Sequence, residues 1–305
     1  MEHLLKMTDL AKNEVLRILN LADQMKFNQK HGLEHEFLKG KSLAMIFSKS
    51  STRTRVSFEV GIAQLGGRGL FLSSSDIQLG RGETIEDTAK VLSRYVDGIM
   101  IRTFKQSEVE ELAHFSDVPV INALTDDEHP CQILADLMTI REYRSTLEGL
   151  NVAWVGDGNN VCNSLIAGAI LCDMNIKIAV PEGYDPLDSV VKWAGSKLAV
   201  TRDPREAVEH ADVVFTDVWT SMGQEQENAK RVKAFAGYQL SAELMKLANP
   251  EAMVQHCLPA HRGEEITAEI FAAHAKQIYD EAENRLHAQK AVMTLLMCDE
   301  DEFES

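Results

Sequence analysis

The chain is short of positive charge: 31 Lys and Arg stand against 47 Asp and Glu, a formal net charge of −16 over 305 residues. That balance argues against nucleic acid and anionic membranes as partners, since both require a broad basic face. An anionic substrate must then be caught by a local basic pocket set in a repulsive global field. Cysteines are few and badly placed for cross-linking. Cys131, Cys162, Cys172, Cys257 and Cys298 are odd in number and form no C-x-x-C pair, which suits a reducing compartment better than a disulfide framework. No apolar run approaches the roughly 20 residues a membrane helix needs. The opening Met1-Glu2-His3-Leu4-Leu5-Lys6 lacks the apolar stretch of a secretion signal. These absences together predict a cytoplasmic protein.

What is present describes a soluble α/β chain of two domains, with 45% hydrophobic and 26% charged residues. Short apolar runs at 43–47, 70–72, 99–101 and 118–121 alternate with helical spacing, the pattern of parallel β-sheets covered by helices. One helix covers 8–30. Another follows residue 52, with apolar residues at Val56, Val60 and Ala63 and again at Phe58, Ile62 and Leu65. A third starts at Thr84, with Asp87 three residues on, and runs to about Tyr95. The helix opened by His129 and Pro130 bridges the two domains, because strand-like runs start afresh after Gly149 at 152–155, 176–180, 213–216 and 253–256. A last helix starts at Glu281, and the acidic residues 299–304 form a solvated tail.

Chemistry concentrates where strands give way to helices. Ser51-Thr52-Arg53-Thr54-Arg55 follows the run 43–47 and opens a helix, whose first amide groups and dipole favour an anion. A simple N-cap needs one hydroxyl. Three hydroxyls and two arginines in five residues instead read as a phosphate site, with Arg53 and Arg55 as bidentate donors. The polar, glycine-punctuated segment 73–83 is too long for a tight connection and reads as a functional loop. Arg102 stands at a strand's carboxyl end, where open α/β sheets place ligands. His129 and Gln132, three apart, share a helix face. Gly156-Asp157-Gly158 after a strand, with Glu182 after the next, raises a dinucleotide-binding oxidoreductase as an alternative; Val161 at the third glycine position and the lack of a hydride-transfer constellation oppose it. Asp217 suits an ammonium group and argues for a cationic amino acid. His256, Cys257 and His261 match no closed zinc spacing, so neither metal nor cofactor is expected.

Ser51 to Arg55 resembles the carbamoyl-phosphate signature of the aspartate and ornithine carbamoyltransferases. H-P-x-Q at 129–132 also matches that family, while D-x-x-x-S-M-G at 217–223 and H-C-L-P at 256–259 resemble its ornithine branch. The resemblance spans essentially the whole chain. It implies a carbamoyl-phosphate domain at 1–145, an ornithine domain at 146–282, and a C-terminal helix, 283–305, folded back onto the first. It places Ser51, Thr52, Arg53 and Thr54 on the phosphate, and Thr54, Arg102, His129 and Arg285 on the carbamoyl carbonyl, with Gln132 on its amide. Gln78, in the loop, would reach carbamoyl phosphate in a neighbouring subunit, implying a homotrimer with shared sites. Asn160, Asp217, Ser221 and Met222 would hold ornithine, and residues 224–238 would form a helical lid. Cys257 and Leu258 would line both substrates, with Cys257 and Asp217 orienting the δ-amine. Glu128 departs from the aromatic or apolar neighbour expected beside His129. The implied reaction is direct attack of the amine through a tetrahedral intermediate, giving L-citrulline and phosphate for arginine synthesis, or the reverse in catabolism. Aspartate or putrescine remain as alternative acceptors.

Overall fold

The structure is a computed structural model that describes residues 1–75, 77, 82–220 and 225–298. The chain divides into two compact units, Met1–Met138 together with the chain from Asn284 on, and Thr139–Glu283.

In the first unit α1 (Lys12–Lys30) buries Val15, Ile18, Leu19, Ala22 and Met25 along one stripe. β1 (Ser42–Phe47) is buried on both faces beyond its first residue, as its uninterrupted apolar sequence requires. α2 (Thr52–Gln64) turns Phe58 and Ile62 inward, with Leu65 buried just beyond its end. The other apolar face is not buried: Val56 and Val60 are 52% and 40% exposed. One helix side can meet one core, and Gly61 decides which, since a Cβ there would lie 3.1 Å from Met293 and 3.2 Å from Lys290. β2 (Arg68–Ser73), α3 (Ile85–Leu92), β3 (Gly98–Arg102), α4 (Gln106–Phe115) and β4 (Val120–Leu124) complete this unit's alternation. Thr84 caps α3 by accepting from the Asp87 amide, and the helix ends at Leu92, one turn short of the expected Tyr95. β4 starts two residues later than the run 118–121 suggests. Pro119 has no N–H to give a ladder, so pairing begins with Val120 opposite Ile99.

The strand order is β2-β1-β3-β4, all parallel. The chain leaves β1 for β2 on one side and returns to β3 on the other. The loops after β1 and β3 therefore splay apart at a topological switch point, where such sheets bind ligands.

α5 (Pro130–Arg144) carries the chain into the second unit. There β5 (Asn151–Val155), α6 (Asn160–Leu171), β6 (Asn175–Ala179), α7 (Asp188–Ala194), β7 (Leu198–Thr201), α8 (Pro204–Val208), β8 (Val213–Phe215), α9 (Asn228–Ala234), α10 (Ala242–Met245) and β9 (Met253–Gln255) follow. The second sheet runs β7-β6-β5-β8-β9, again parallel, with its switch point between β5 and β8. Its core gathers Ala153, Val155, Val214, Phe235, Val254 and Ile278. β7, missed among the expected strands, is carried by the short apolar run Leu198-Ala199-Val200 at the sheet edge, where Ala199 and Val200 are exposed.

α11 (Ala268–Met297) returns the chain to the first unit as 30 residues of unbroken helix. It begins well before the expected Glu281. The Thr267 hydroxyl accepts from the Ile270 amide, and no glycine or proline follows to stop the helix. No helix among the described residues is long and apolar enough to cross a membrane.

Candidate active site

In the first unit the switch point collects Ser51–Thr54, Arg102, His129, Gln132 and Arg285. Ser51 is the N-cap of α2, its hydroxyl accepting from the Thr54 amide at 3.1 Å. The Thr54 hydroxyl is the meeting point of two guanidiniums, 3.4 Å from Arg102 Nη1 and 3.3 Å from Arg285 Nη2. Arg285 Nη1 also donates to Gln132 Oε1 at 2.7 Å, and Gln132 Nε2 donates to Asp136 at 2.8 Å. The Gln132 oxygen, expected to receive the carbamoyl amide, is thus engaged by Arg285. His129 is buried beside this cluster. Burial, then the charges of Arg285, Arg102 and Arg53, push its pKa well below the ordinary value of 6.5, so the imidazole is neutral at physiological pH. Glu128 is not among the groups that set this shift. Arg55 departs from expectation. It points along the outer face of α2, bonded to Glu59 at 3.3 Å and lying 3.8 Å over the Phe71 ring, because one turn of helix cannot aim both arginines the same way. Lys49 is turned to Asp126 as an ion pair and stacks on Phe104.

In the second unit the loops after β5 and β8 meet. Asn159 is the N-cap of α6, accepting from the amides of Val161 and Cys162, while its Nδ2 donates to Asp217 Oδ2 at 2.8 Å. Asp217 Oδ1 accepts from the Cys257 thiol at 3.1 Å and from the Val218 amide at 2.8 Å. Asn160, the expected ligand, opens α6 next to this group, and its Oδ1 accepts from Val161 N. The turn bearing Cys257 is held from beneath by two buried glutamates. Glu281 accepts from the His256 amide at 2.9 Å. Glu265 pairs with His256 Nε2 at 3.0 Å and also accepts from the His261 amide. His256 Nδ1 accepts from the Leu258 amide at 2.9 Å, and Leu258 sits at φ 59°, in the left-handed region. Asp217, His256 and Cys257 lie close enough to suggest a metal cluster. Both His256 ring nitrogens are already committed, however, which leaves two donors and no closed zinc set. Asp157 is bonded to the buried Arg231 of α9 at 2.6 Å. Burial outweighs that charge and raises the Asp157 pKa to about 6.

Residues 2–142 match the family described as aspartate/ornithine carbamoyltransferase, carbamoyl-P binding domain. Residues 148–296 match its Asp/Orn binding domain. The chain belongs to the aspartate/ornithine carbamoyltransferase family. Within that carbamoyltransferase family it is 58% identical to an ornithine carbamoyltransferase of Carboxydothermus hydrogenoformans, over 96% of each chain. It is 55% identical to one of Archaeoglobus fulgidus over 99% of each. Among solved structures, the ornithine carbamoyltransferase from Pyrococcus furiosus superposes with a TM-score of 0.93 at 50% identity, covering 97% of both chains.

For a carbamoyltransferase, the residues singled out from sequence fall into two groups, one in each unit. Gln78, Ser221 and Met222 lie outside the described residues, as does Gln224 at the start of the expected lid. The far end of that stretch is core. Phe235 and Tyr238 belong to the core beside Trp219 and Tyr184, as large apolar rings at the end of α9 must. Asn159 was missed. Its position just before an apolar helical run marks a cap, but nothing in the sequence ties its second bond to Asp217. Asp136, Glu265, Glu281 and Arg231, which orient other site residues, likewise had no sequence signal beyond their charge.

Proposed function

We propose that this carbamoyltransferase transfers the carbamoyl group of carbamoyl phosphate to the δ-amine of L-ornithine, giving L-citrulline and phosphate. The observation that carries the choice of acceptor is the Asp217 carboxylate, bonded by the Cys257 thiol and the Asn159 amide at the second switch point. An anionic group there attracts a cationic amino acid and repels the side-chain carboxylate of aspartate. Asn160, Ser221 and Met222 hold the α-amino and carboxylate groups in this reading, and Leu258 adds backbone contacts.

On the phosphate side, Ser51, Thr52, Arg53 and Thr54 hold the phosphate at the start of α2. Thr54, Arg102, Arg285 and neutral His129 donate to the carbonyl oxygen, and donate more strongly as it becomes the oxyanion of the tetrahedral intermediate. A neutral imidazole donates there without adding a fourth cation to three guanidiniums. Gln132, and Gln78 of the loop, bind the carbamoyl amide. The ammonium sheds one proton to solvent before attack, and after attack the nitrogen of the tetrahedral intermediate gives its second proton to the departing phosphate. Domains 1–145 with 283–305, and 146–282, thereby divide the two substrates. The assembly we infer is a homotrimer, supported by the exposed apolar side chains of α2 and β2, with the Gln78 loop shared between subunits. A cytoplasmic setting agrees with five free cysteines, and the direction from ornithine to citrulline is the one that serves arginine synthesis.

The test is citrulline formation from carbamoyl phosphate with L-ornithine, with L-aspartate and putrescine as parallel acceptors. Product with ornithine alone is expected. Product only with another amine would keep the carbamoyl half and discard the assignment of Asp217.

A further inference from the structure

Gln289 stands one turn beyond Arg285 on α11 and is given no substrate contact of its own. Its Oε1 accepts from Arg285 Nε at 3.0 Å, and its Nε2 donates to Ser57 Oγ at 2.7 Å. Ser57 in turn donates to the Thr54 backbone carbonyl at 3.3 Å. The donors and acceptors allow one polarity: a guanidinium offers only donors, so the amide oxygen faces Arg285 and the amide nitrogen faces Ser57. All four residues lie in the first unit.

The consequence is geometric. Arg285 sits on a long flexible stem, and a planar guanidinium bonded on one edge alone can still pivot. Gln289 holds the Nε edge, Gln132 holds Nη1, and Nη2 is left directed at the Thr54 hydroxyl, 3.3 Å away. Ser57 references that arrangement to α2, the helix whose first turn forms the phosphate side. Gln289 is fully buried, so water cannot take over its bond to Arg285. We propose that Gln289, braced by Ser57, is a positioning residue that fixes the plane of the Arg285 guanidinium toward the carbamoyl oxygen. This rests on the role given to Arg285 above. The plain alternative is a helix-stabilising pair spaced four residues apart, with no bearing on chemistry.

Gln289→Met and Ser57→Ala, made singly and together in the full chain, separate the two. Positioning acts where charge develops, so Gln289→Met lowers kcat by about tenfold or more while KM for carbamoyl phosphate moves by less than about threefold. Ser57→Ala gives a smaller fall in the same direction. The double variant is no worse than Gln289→Met, because both changes cut one chain of bonds. Crystal structures of the variants supply a readout independent of turnover, in which Arg285 is expected to have turned from Gln132 and Thr54. A lowered Tm with kcat unchanged, losses that multiply in the double variant, or an Arg285 still in place would each overturn the proposal. If Gln289→Met does not fold, the kcat and crystal structure of Ser57→Ala decide it. Wild-type protein that carbamoylates none of ornithine, aspartate and putrescine would refute the carbamoyl-transfer reading, and the position of Arg285 in the variants would still decide this one.

Discussion

Burial and three guanidiniums act on His129 in the same direction, and no carboxylate is among the groups that shift its pKa. The proton that would make it an imidazolium is therefore held off well below pH 6.5. A group in that state donates one hydrogen bond at constant strength across the working pH range. The kcat of the wild type is accordingly expected to pass through about pH 6.5 with no inflection from His129, while His129→Ala loses about 100-fold in kcat, the scale of one oxyanion donor. A pH-rate profile of wild type and of His129→Gln checks this. An inflection near the ordinary histidine value that vanishes in the Gln variant would count against it. The same shift has a cost for folding. Below about pH 6.5 the unfolded chain takes up a proton that buried His129 refuses, so this residue's contribution to stability is lost as pH falls. How much of the site could be read from sequence depended on density. Three hydroxyls and two arginines in five residues announce an anion site, although they do not say that Arg55 turns outward. Asn159 and Gln289 could not be read, since a single amide side chain names no partner until the fold supplies one.

Helix α11 shows the same limit one level up, and it carries a titratable device of its own. Lys290 Nζ donates to Gln29 and Gln64, each at 3.0 Å, and to His35 Nε2 at 2.7 Å. The His35 Nδ1 proton is directed to the Leu33 carbonyl, which leaves Nε2 as an acceptor. One ammonium thus ties α11 to α1, to α2 and to the segment between α1 and β1 through three neutral acceptors. Burial lowers its pKa to about 8. Since the folded value lies below the unfolded one of about 10.4, the unfolded chain holds more protons between them, and stability rises with pH across that window. Relative to Lys290→Met, the wild type is expected to gain on the order of 1–2 kcal/mol between about pH 7.5 and pH 9.5. Urea unfolding at the two pH values measures it, and a constant difference would refute the shift. His287, pushed down to about 3 by burial and neighbouring lysines, has the same sign in an acidic window. From sequence, the apolar spacing in its last turns revealed that α11 exists. Its start was misread because Glu281 draws the eye, whereas the physical stop signals are absent all the way back to Thr267. β1 and β5 were legible because a central parallel strand is apolar on both faces; β7, with only Leu198-Ala199-Val200 at a sheet edge, was missed.

At the scale of the whole molecule, a chain of charge −16 resists association except where apolar surface is concentrated. Val56, Val60, Leu70 and Phe71 are 39–52% exposed on α2 and on the edge strand β2, in the unit that bears Ser51–Thr54. Scattered apolar side chains mean little, but four on adjoining elements next to an open sheet edge form a surface that a second subunit can cover. Three-fold closure requires a heterologous contact, one patch on each subunit meeting a different patch on the next, so a single charge placed in this patch should break every interface of the ring at once. Val60→Glu is the informative change, because an exposed helical valine can be replaced without cost to the core. Light scattering is expected to give the wild type a mass of about three times the 34.0 kDa chain and the variant the mass of one chain. Turnover should fall with assembly if, as proposed above, Gln78 of a neighbouring subunit completes the site. A fully active single chain, in either protein, would remove both the trimer and the shared loop from this account.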